Sequence, residues 1–167
     1  MYIRDEKNTD REAISRLQYD AFSNHPQHAP GSEPVEHLIV ERLRDAGALA
    51  LSLVAEEDRT LLGHIALSPA AIGETRQGWF LLGPVGVLPA RQGQGIGSAL
   101  VRAAIARMQG LGAAGIVLVG DPGFYGRFGF VSGAGPTWPS VPDQYVLTLS
   151  LAGETPAGEI ACHAAFG

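Results

Sequence analysis

Apolar positions fall first at helical spacing, then at strand spacing, then switch between the two. Met1 to Arg4 reads as a short opening strand. Thr9 and Glu12 have the spacing of a capping box, and Ile14, Leu17, Ala21 and Phe22 then recur on one helical face, predicting a helix through about residue 22. Ser23 to Pro34 is broken by Pro26, Pro30, Gly31 and Pro34 and reads as a loop. Pro34 suits a helix start, and Val35, Leu38, Ile39 and Leu43 line a second helix that stops near Gly47. Leu49–Glu56 and Leu61–Leu67 are apolar runs around a hairpin turn at Glu57-Asp58-Arg59. Gly73 to Gly78 leads into a central strand, Trp79 to Leu88, and a glycine-rich turn then enters a helix ending at Gly110. Ile116–Val119 is an all-apolar strand, as expected where both faces are covered, and Tyr145–Leu151 alternates as a late one. Ile160 to Phe166 is a segment for local pairing or packing. The order β-α-α-β-β-β-α-β-α-β predicts a mixed α/β (α+β) domain.

Composition narrows the function classes. At 167 residues the chain is expected to form a single domain over 1–167, and 46% hydrophobic against 17% charged residues fits a packed core. A formal charge of −5 with Lys7 as the only lysine leaves no basic stripe for nucleic acid. Cys162 alone excludes an internal disulfide and fits a reducing compartment. The N-terminal segment has no apolar core of a signal peptide, and no apolar run approaches the about 20 residues needed to span a bilayer. A cytoplasmic protein with no membrane partner is the expectation.

The chemistry concentrates in Leu81–Leu100, LLGPVGVLPARQGQGIGSAL. Val85 and Val87 carry a strand signal, and Pro89 stops it. Gly93, Gly95 and Gly97 alternate just before the helix, so free backbone N–H groups gather at a helix start without side chains in the way, which suits a phosphate. A Walker A loop needs a lysine after the last glycine, and none stands there. A dinucleotide fingerprint needs G-x-G-x-x-G, whereas Gly93 to Gly97 gives G-x-G-x-G; Asp121 follows the next strand as its acid. A turn chosen only for tight geometry is the third reading.

The longer string resembles a known signature. Val87, Pro89, Gln92, Gly95 and Gly97 match V-x-P-x-x-[RQ]-x-x-G-x-[GA], which is similar to the acyl-CoA motif of the GNAT superfamily of N-acyltransferases. Asp121-Pro-Gly-Phe-Tyr-Gly-Arg-Phe-Gly-Phe130 resembles the family's later Tyr-x-x-x-Gly-Phe segment, in the compact form of the small bacterial YhbS-like branch. In that branch Asp121-Pro122 stands where many members carry an asparagine. The resemblance implies a mixed, mostly antiparallel central sheet flanked by helices, with a splayed strand pair at the acyl-CoA site. It implies acetyl-CoA as cosubstrate, held by Val85, Val87, Gln92, Gly93, Gln94, Gly95, Ile96, Gly97 and Ser98. Gly83-Pro84 and Gly86 would bulge the strand and free its backbone for the pantetheine arm. Tyr125 becomes the general acid for the leaving thiolate.

A base is not marked in the same way. His64, in the strand LLGHIAL, is the first candidate, with Glu74 and Asp143 behind it. The acceptor is expected to be a small-molecule or peptide amine beside Trp79, Trp138 and Pro136–Pro142, and a homodimer is common in the family. A non-catalytic acyl-CoA sensor is the alternative. His25 and His28, near Glu33 and Glu36, have too few ligands for a metal, and none is expected. Cys162 reads as a packed side chain, not a nucleophile.

Overall fold

The computed structural model describes residues 1–23 and 31–167. In chain order the elements are β1 (Tyr2–Asp5), α1 (Arg11–Phe22), α2 (Glu36–Asp45), β2 (Leu51–Glu57), β3 (Thr60–Pro69), β4 (Ala71–Ile72), β5 (Trp79–Val87), α3 (Ile96–Gly110), β6 (Gly115–Val119), α4 (Pro122–Tyr125), β7 (Val131–Ser132), β8 (Pro136–Thr137), β9 (Val146–Ser150) and β10 (Gly158–Ala161). Seven strands form one sheet in the order β1-β2-β3-β5-β6-β9-β7, and β4-β10-β8 form a second. Among the described residues of the large sheet, only β5 and β6 run parallel. This is the mostly antiparallel mixed architecture that the resemblance implies. A second parallel contact, β8 with β10, joins segments more than twenty residues apart, and no local pattern announces it.

Strand alternation decides which helix covers which face. Leu53, Ile65, Leu67, Ile116 and Leu118 meet Leu100, Val101, Ala104 and Met108 of α3 in one core. Val54 and Ala66 turn to the other face, against Ile14 of α1 and Val40 of α2. Val40 thus takes the buried place expected for Val35, which is 49% exposed because the helix starts only at Glu36. The β2–β3 turn forms where expected, with Asp58 and Arg59 both left-handed (φ 50° and 65°), matching the strand twist. The tail pairs through β10, and Ala165 of the turn after it packs on Ile39 and Leu43 of α2. No helix among the described residues is long and apolar enough to cross a membrane.

The capping box expected at Thr9 and Glu12 does not form. Asp10 takes that role instead, accepting the Lys7 N–H at 2.6 Å while paired with Arg4 at 2.7 Å. The Arg4 guanidinium holds the Asp10 carboxyl below its usual range.

β5 and β6 define the functional geometry. They pair only at Trp79–Gly115, Phe80–Ile116 and Leu81–Val117, and then diverge. On its other edge β5 carries a bulge, since Ile65 lies opposite Val85 but Leu67 opposite Leu82. The extra residue falls at Gly83-Pro84, where Gly83 has φ +146° and Pro84 lacks an N–H to donate. The closed end of the wedge is tight. A Cβ on Gly115 would strike the Trp79 ring and stand 2.7 Å from the Leu149 carbonyl oxygen. Gly115→Ala should therefore cost about 3 kcal/mol, the upper range for overpacking a core. Denaturant unfolding measures it, and a loss below about 0.5 kcal/mol would show that the backbone yields there.

Candidate active site

The bulge fixes which backbone groups of β5 face the wedge. Leu88 N–H donates to Leu62 O at 2.9 Å, and Gly86 lies opposite His64. By antiparallel alternation Leu88 and Gly86 turn their backbone groups to β3, while Val85 and Val87 turn theirs toward the opening. Gln92 Nε2 donates to Val87 O at 3.1 Å from that open side.

Beyond Val87 the chain makes a one-turn 3-10 segment, Pro89–Arg91, and reaches α3 through Gly93 (φ +77°) and Gly95 (φ +84°). Both left-handed positions need glycine, and nothing lies within 4 Å of where either Cβ would be. Ala99 N–H donates to Gly95 O at 3.0 Å as the first helical bond, so the amides of Ile96, Gly97 and Ser98 have no intrahelical acceptor. The cavity beside them, about 590 Å³, is bounded by Val85, Gly86, Val87, Gln92, Gly93, Gly95, Phe124 and Tyr125. Ile96, Gly97 and Ser98 line it too, so nearly all residues expected at the cofactor site meet there. Gln94 does not. Its amide oxygen accepts from Arg91 Nε at 2.8 Å, and Arg91 is tied on to Glu57 at 2.9 Å. Arg127, Ala21 and Phe22 also line the cavity without having been expected. The guanidinium of Arg127 sits 5.0 Å from the Phe124 ring centre.

A second cavity, about 490 Å³, opens on the other side of the wedge. It shares Phe22, Val85, Phe124 and Tyr125 with the first. The Tyr125 ring lies against Gly120, where a Cβ would come within 2.7 Å, and packs edge-on to Phe124 and Phe130 with centroids at 4.9 and 5.8 Å. Burial pushes its phenol up to about 12. Asp121 accepts Gly123 N–H at 2.9 Å and lines this second cavity. Trp138 lines it as well, while Trp79 is a core residue, 2% exposed.

His64 is elsewhere. It is fully enclosed between the sheet and α1 and lines neither cavity. Glu6 is a carboxylate paired with Arg44 at 2.9 Å, and it accepts the Ser52 hydroxyl in a short hydrogen bond. Burial works against the Glu6 charge, but the hydrogen bonds from Arg44 and Ser52 outweigh it and hold the carboxyl below its usual range. Ser52 Oγ, its proton spent on Glu6, must accept from His64 Nε2 at 2.8 Å. His64 Nδ1 then accepts from Gln18 Nε2 at 2.8 Å. With both ring nitrogens committed and no path to the wedge, His64 is not placed to take a proton from an acceptor. Glu74 and Asp143 are exposed and line neither cavity.

The enclosure of His64 has a thermodynamic consequence. Burial pushes its imidazole down to about 4. In the unfolded chain the ring protonates near pH 6.5, so between about pH 6.5 and 4 the unfolded state takes up a proton that the folded state excludes. Stability is full above that window and falls through it, by about 3 kcal/mol at the lower end. Glu6 adds a further loss below about pH 4.5, as its lowered carboxyl is protonated. Unfolding free energies at pH 7.5 and 4.5 should show the fall in wild type and a shallower one in His64→Asn. Equal slopes would show that His64 titrates normally.

Among the described residues no group of three or more His, Cys, Asp or Glu could hold a metal ion, and His25 and His28 lie outside those residues. Cys162 is half-buried against the cluster of Ile72, Trp79, Leu81, Val117 and Ile160, with its thiol pushed up by burial.

Comparison with known proteins gives three concordant findings. The sequence model of the acetyltransferase (GNAT) family matches residues 11–130. Among curated proteins, the uncharacterized N-acetyltransferase YhbS of Escherichia coli K12 is 38% identical over 97 residues, 57% of this chain and 58% of its own. The chain thus spans less than two thirds of that relative's length. The uncharacterized N-acetyltransferase YjhQ of the same organism is 30% identical over 137 residues, covering 75% of this chain and 76% of its own. Among solved structures, a GNAT-family acetyltransferase from Brucella melitensis in complex with acetyl-CoA superposes with a TM-score of 0.86 at 44% identity, covering 99% of this chain and 97% of its own. The Escherichia coli YhbS structure in complex with CoA gives 0.85 at 28% identity, covering 99% and 91%.

Proposed function

The chain belongs to the acetyltransferase (GNAT) family, and from that premise we propose that residues 1–167 act as one N-acetyltransferase domain. It moves the acetyl group of acetyl-CoA to a primary amine by direct attack in a ternary complex. The observation that carries this reading is the unpaired length of β5 beyond Leu81, which joins the anion cradle at α3 to the edge of Tyr125. The acetyl-CoA in the Brucella relative supports the same cosubstrate here.

The residues present fit an acyl-CoA. Amides of Ile96, Gly97 and Ser98, with open space at Gly93 and Gly95, suit a diphosphate at a helix N-terminus. The backbone of Val85 and Val87 suits the amides of an extended arm, as a neighbouring strand would. Attack forms a C–N bond and breaks the C–S bond; the nitrogen loses one proton and the sulfur gains one. The Val85 N–H, turned to the opening, is the group available to polarise the thioester carbonyl.

Tyr125 supplies an O–H where the sulfur departs. A phenol near 12 is a weaker acid than the departing thiol, so a complete proton transfer to the thiolate alone is uphill. Tyr125 therefore acts through a hydrogen bond that strengthens as charge gathers on sulfur, releasing its proton only as it regains the one shed by nitrogen.

The test is a calorimetric titration with acetyl-CoA, followed by thiol release in the presence of mixed primary amines. Saturable binding and amine-dependent release are expected. Binding without release from any amine would replace the enzyme by an acyl-CoA-binding module, and no binding by folded protein would overturn both.

A further inference from the structure

The cavity on the far side of the wedge has a composition that selects its occupant. Its walls are apolar, with Leu81, Val119, Trp138, Val141 and Phe166 prominent. No lysine or arginine lines it among the described residues, and its charged lining groups are the carboxylates Glu36 and Asp121. At about 490 Å³ it falls within the range of small-ligand sites. Among the described residues it touches the cradle through Phe22, Val85, Phe124 and Tyr125, so a molecule seated there presents one end to the thioester position.

Asp121 is fixed relative to that end. Its Oδ1 accepts Gly123 N–H at 2.9 Å, and its backbone oxygen accepts Tyr125 N–H at 3.0 Å, so carboxylate and phenol ride on one turn. Resting on the acetyltransferase reading, we propose that this cavity binds the acceptor, and that the acceptor is a primary amine on an apolar, ring-sized body. Asp121 attracts the amine end, and the Trp138–Val141 wall holds the body. A diamine or polyamine is the wrong occupant. The other lining carboxylate, Glu36, already accepts the Val35 N–H. A second ammonium would therefore compete for an engaged group or lie against Leu81, Val119 and Phe166, where a charge gains no partner among the described residues.

The experiment compares 2-phenylethylamine with putrescine in a thiol-release assay on the full chain, after calorimetry with acetyl-CoA. kcat/KM should favour 2-phenylethylamine by about 100-fold, the scale on which an apolar pocket rejects a misplaced polar group. Asp121→Asn should raise its KM about tenfold with acetyl-CoA affinity unchanged, the size of one lost charge contact. Val141→Asp, which puts a carboxylate on the apolar wall, should move the preference toward putrescine and so tests the wall by a gain. Preference of the wild type for putrescine would overturn this inference and leave the acetyltransferase reading standing. Acetyl-CoA binding with neither amine used would also overturn it, whereas no acetyl-CoA binding would remove the underlying reading as well.

Discussion

Gly95→Trp is expected to abolish measurable acetyl-CoA binding while leaving the protein folded. Gly95 is the residue before the first turn of α3, at φ +84°, and its missing side chain faces empty space. A tryptophan there meets no protein atom at its Cβ, so the ring is free to occupy the space that the amides of Ile96, Gly97 and Ser98 face. The left-handed backbone costs about 1–2 kcal/mol for a residue with a side chain, a small part of the roughly 5–15 kcal/mol that holds a domain together. Loss of a site built on several charge-assisted hydrogen bonds should exceed about 1,000-fold, or about 4 kcal/mol. Gly95→Ala carries the same backbone strain without the bulk and should keep affinity within about tenfold. Calorimetry and thermal melts on the pair separate blockage from unfolding. An unchanged affinity in the tryptophan variant would mean that the cradle does not bind the diphosphate.

Tyr125→Phe should lower kcat by about 100- to 1,000-fold, the usual range for one positioned proton donor. The phenylalanine ring keeps the packing on Gly120, Phe124 and Phe130, so the acetyl-CoA dissociation constant and the melting temperature should stay close to wild type. Single-turnover acetyl transfer at saturating acetyl-CoA is the measurement, and a kcat within threefold of wild type would remove Tyr125 from the chemistry. The phenol stands near 12, so it remains protonated throughout an ordinary assay range. An alkaline fall of the wild-type rate below about pH 11 therefore has to come from another group.

Much of this geometry was legible because the informative patterns are local. The hairpin at Asp58-Arg59, the apolar run Ile116–Val119 and the glycine turn into α3 each fall within one short window of sequence. The bulge at Gly83-Pro84 was legible for the same reason, since two poor strand formers sit together inside a strand. Partners far apart in sequence were not. β4, β8 and β10 are two to four residues long, and β10 near the C-terminal end holds both β8 and the mid-chain β4. His64 shows the limit most clearly. Its apolar neighbours placed it on a strand, but not on a face. Its face follows from Gln18 and Ser52, 46 and 12 residues away. Gln94 was expected to face the ligand because it stands between glycines, yet Arg91 three residues earlier captures it. Asp10 likewise closes the turn before α1 on the Lys7 N–H, held there by Arg4 of β1.

The partial pairing of β5 with β6 gives the molecule a sheet edge in its own interior. By position β5 is the middle strand of seven; by hydrogen bonding its second half is a border. An exposed border on the perimeter of a protein invites strands from other molecules and must be blunted by charge, twist or cover. This one is recessed between Phe22 of α1 and the aromatic turn of α4. A foreign strand arrives with side chains on both faces and a sheet behind it, and the notch has no room for that company. A single slender chain fits. The fold thereby keeps the reactivity of a free edge and avoids its usual hazard, by letting width decide what may pair.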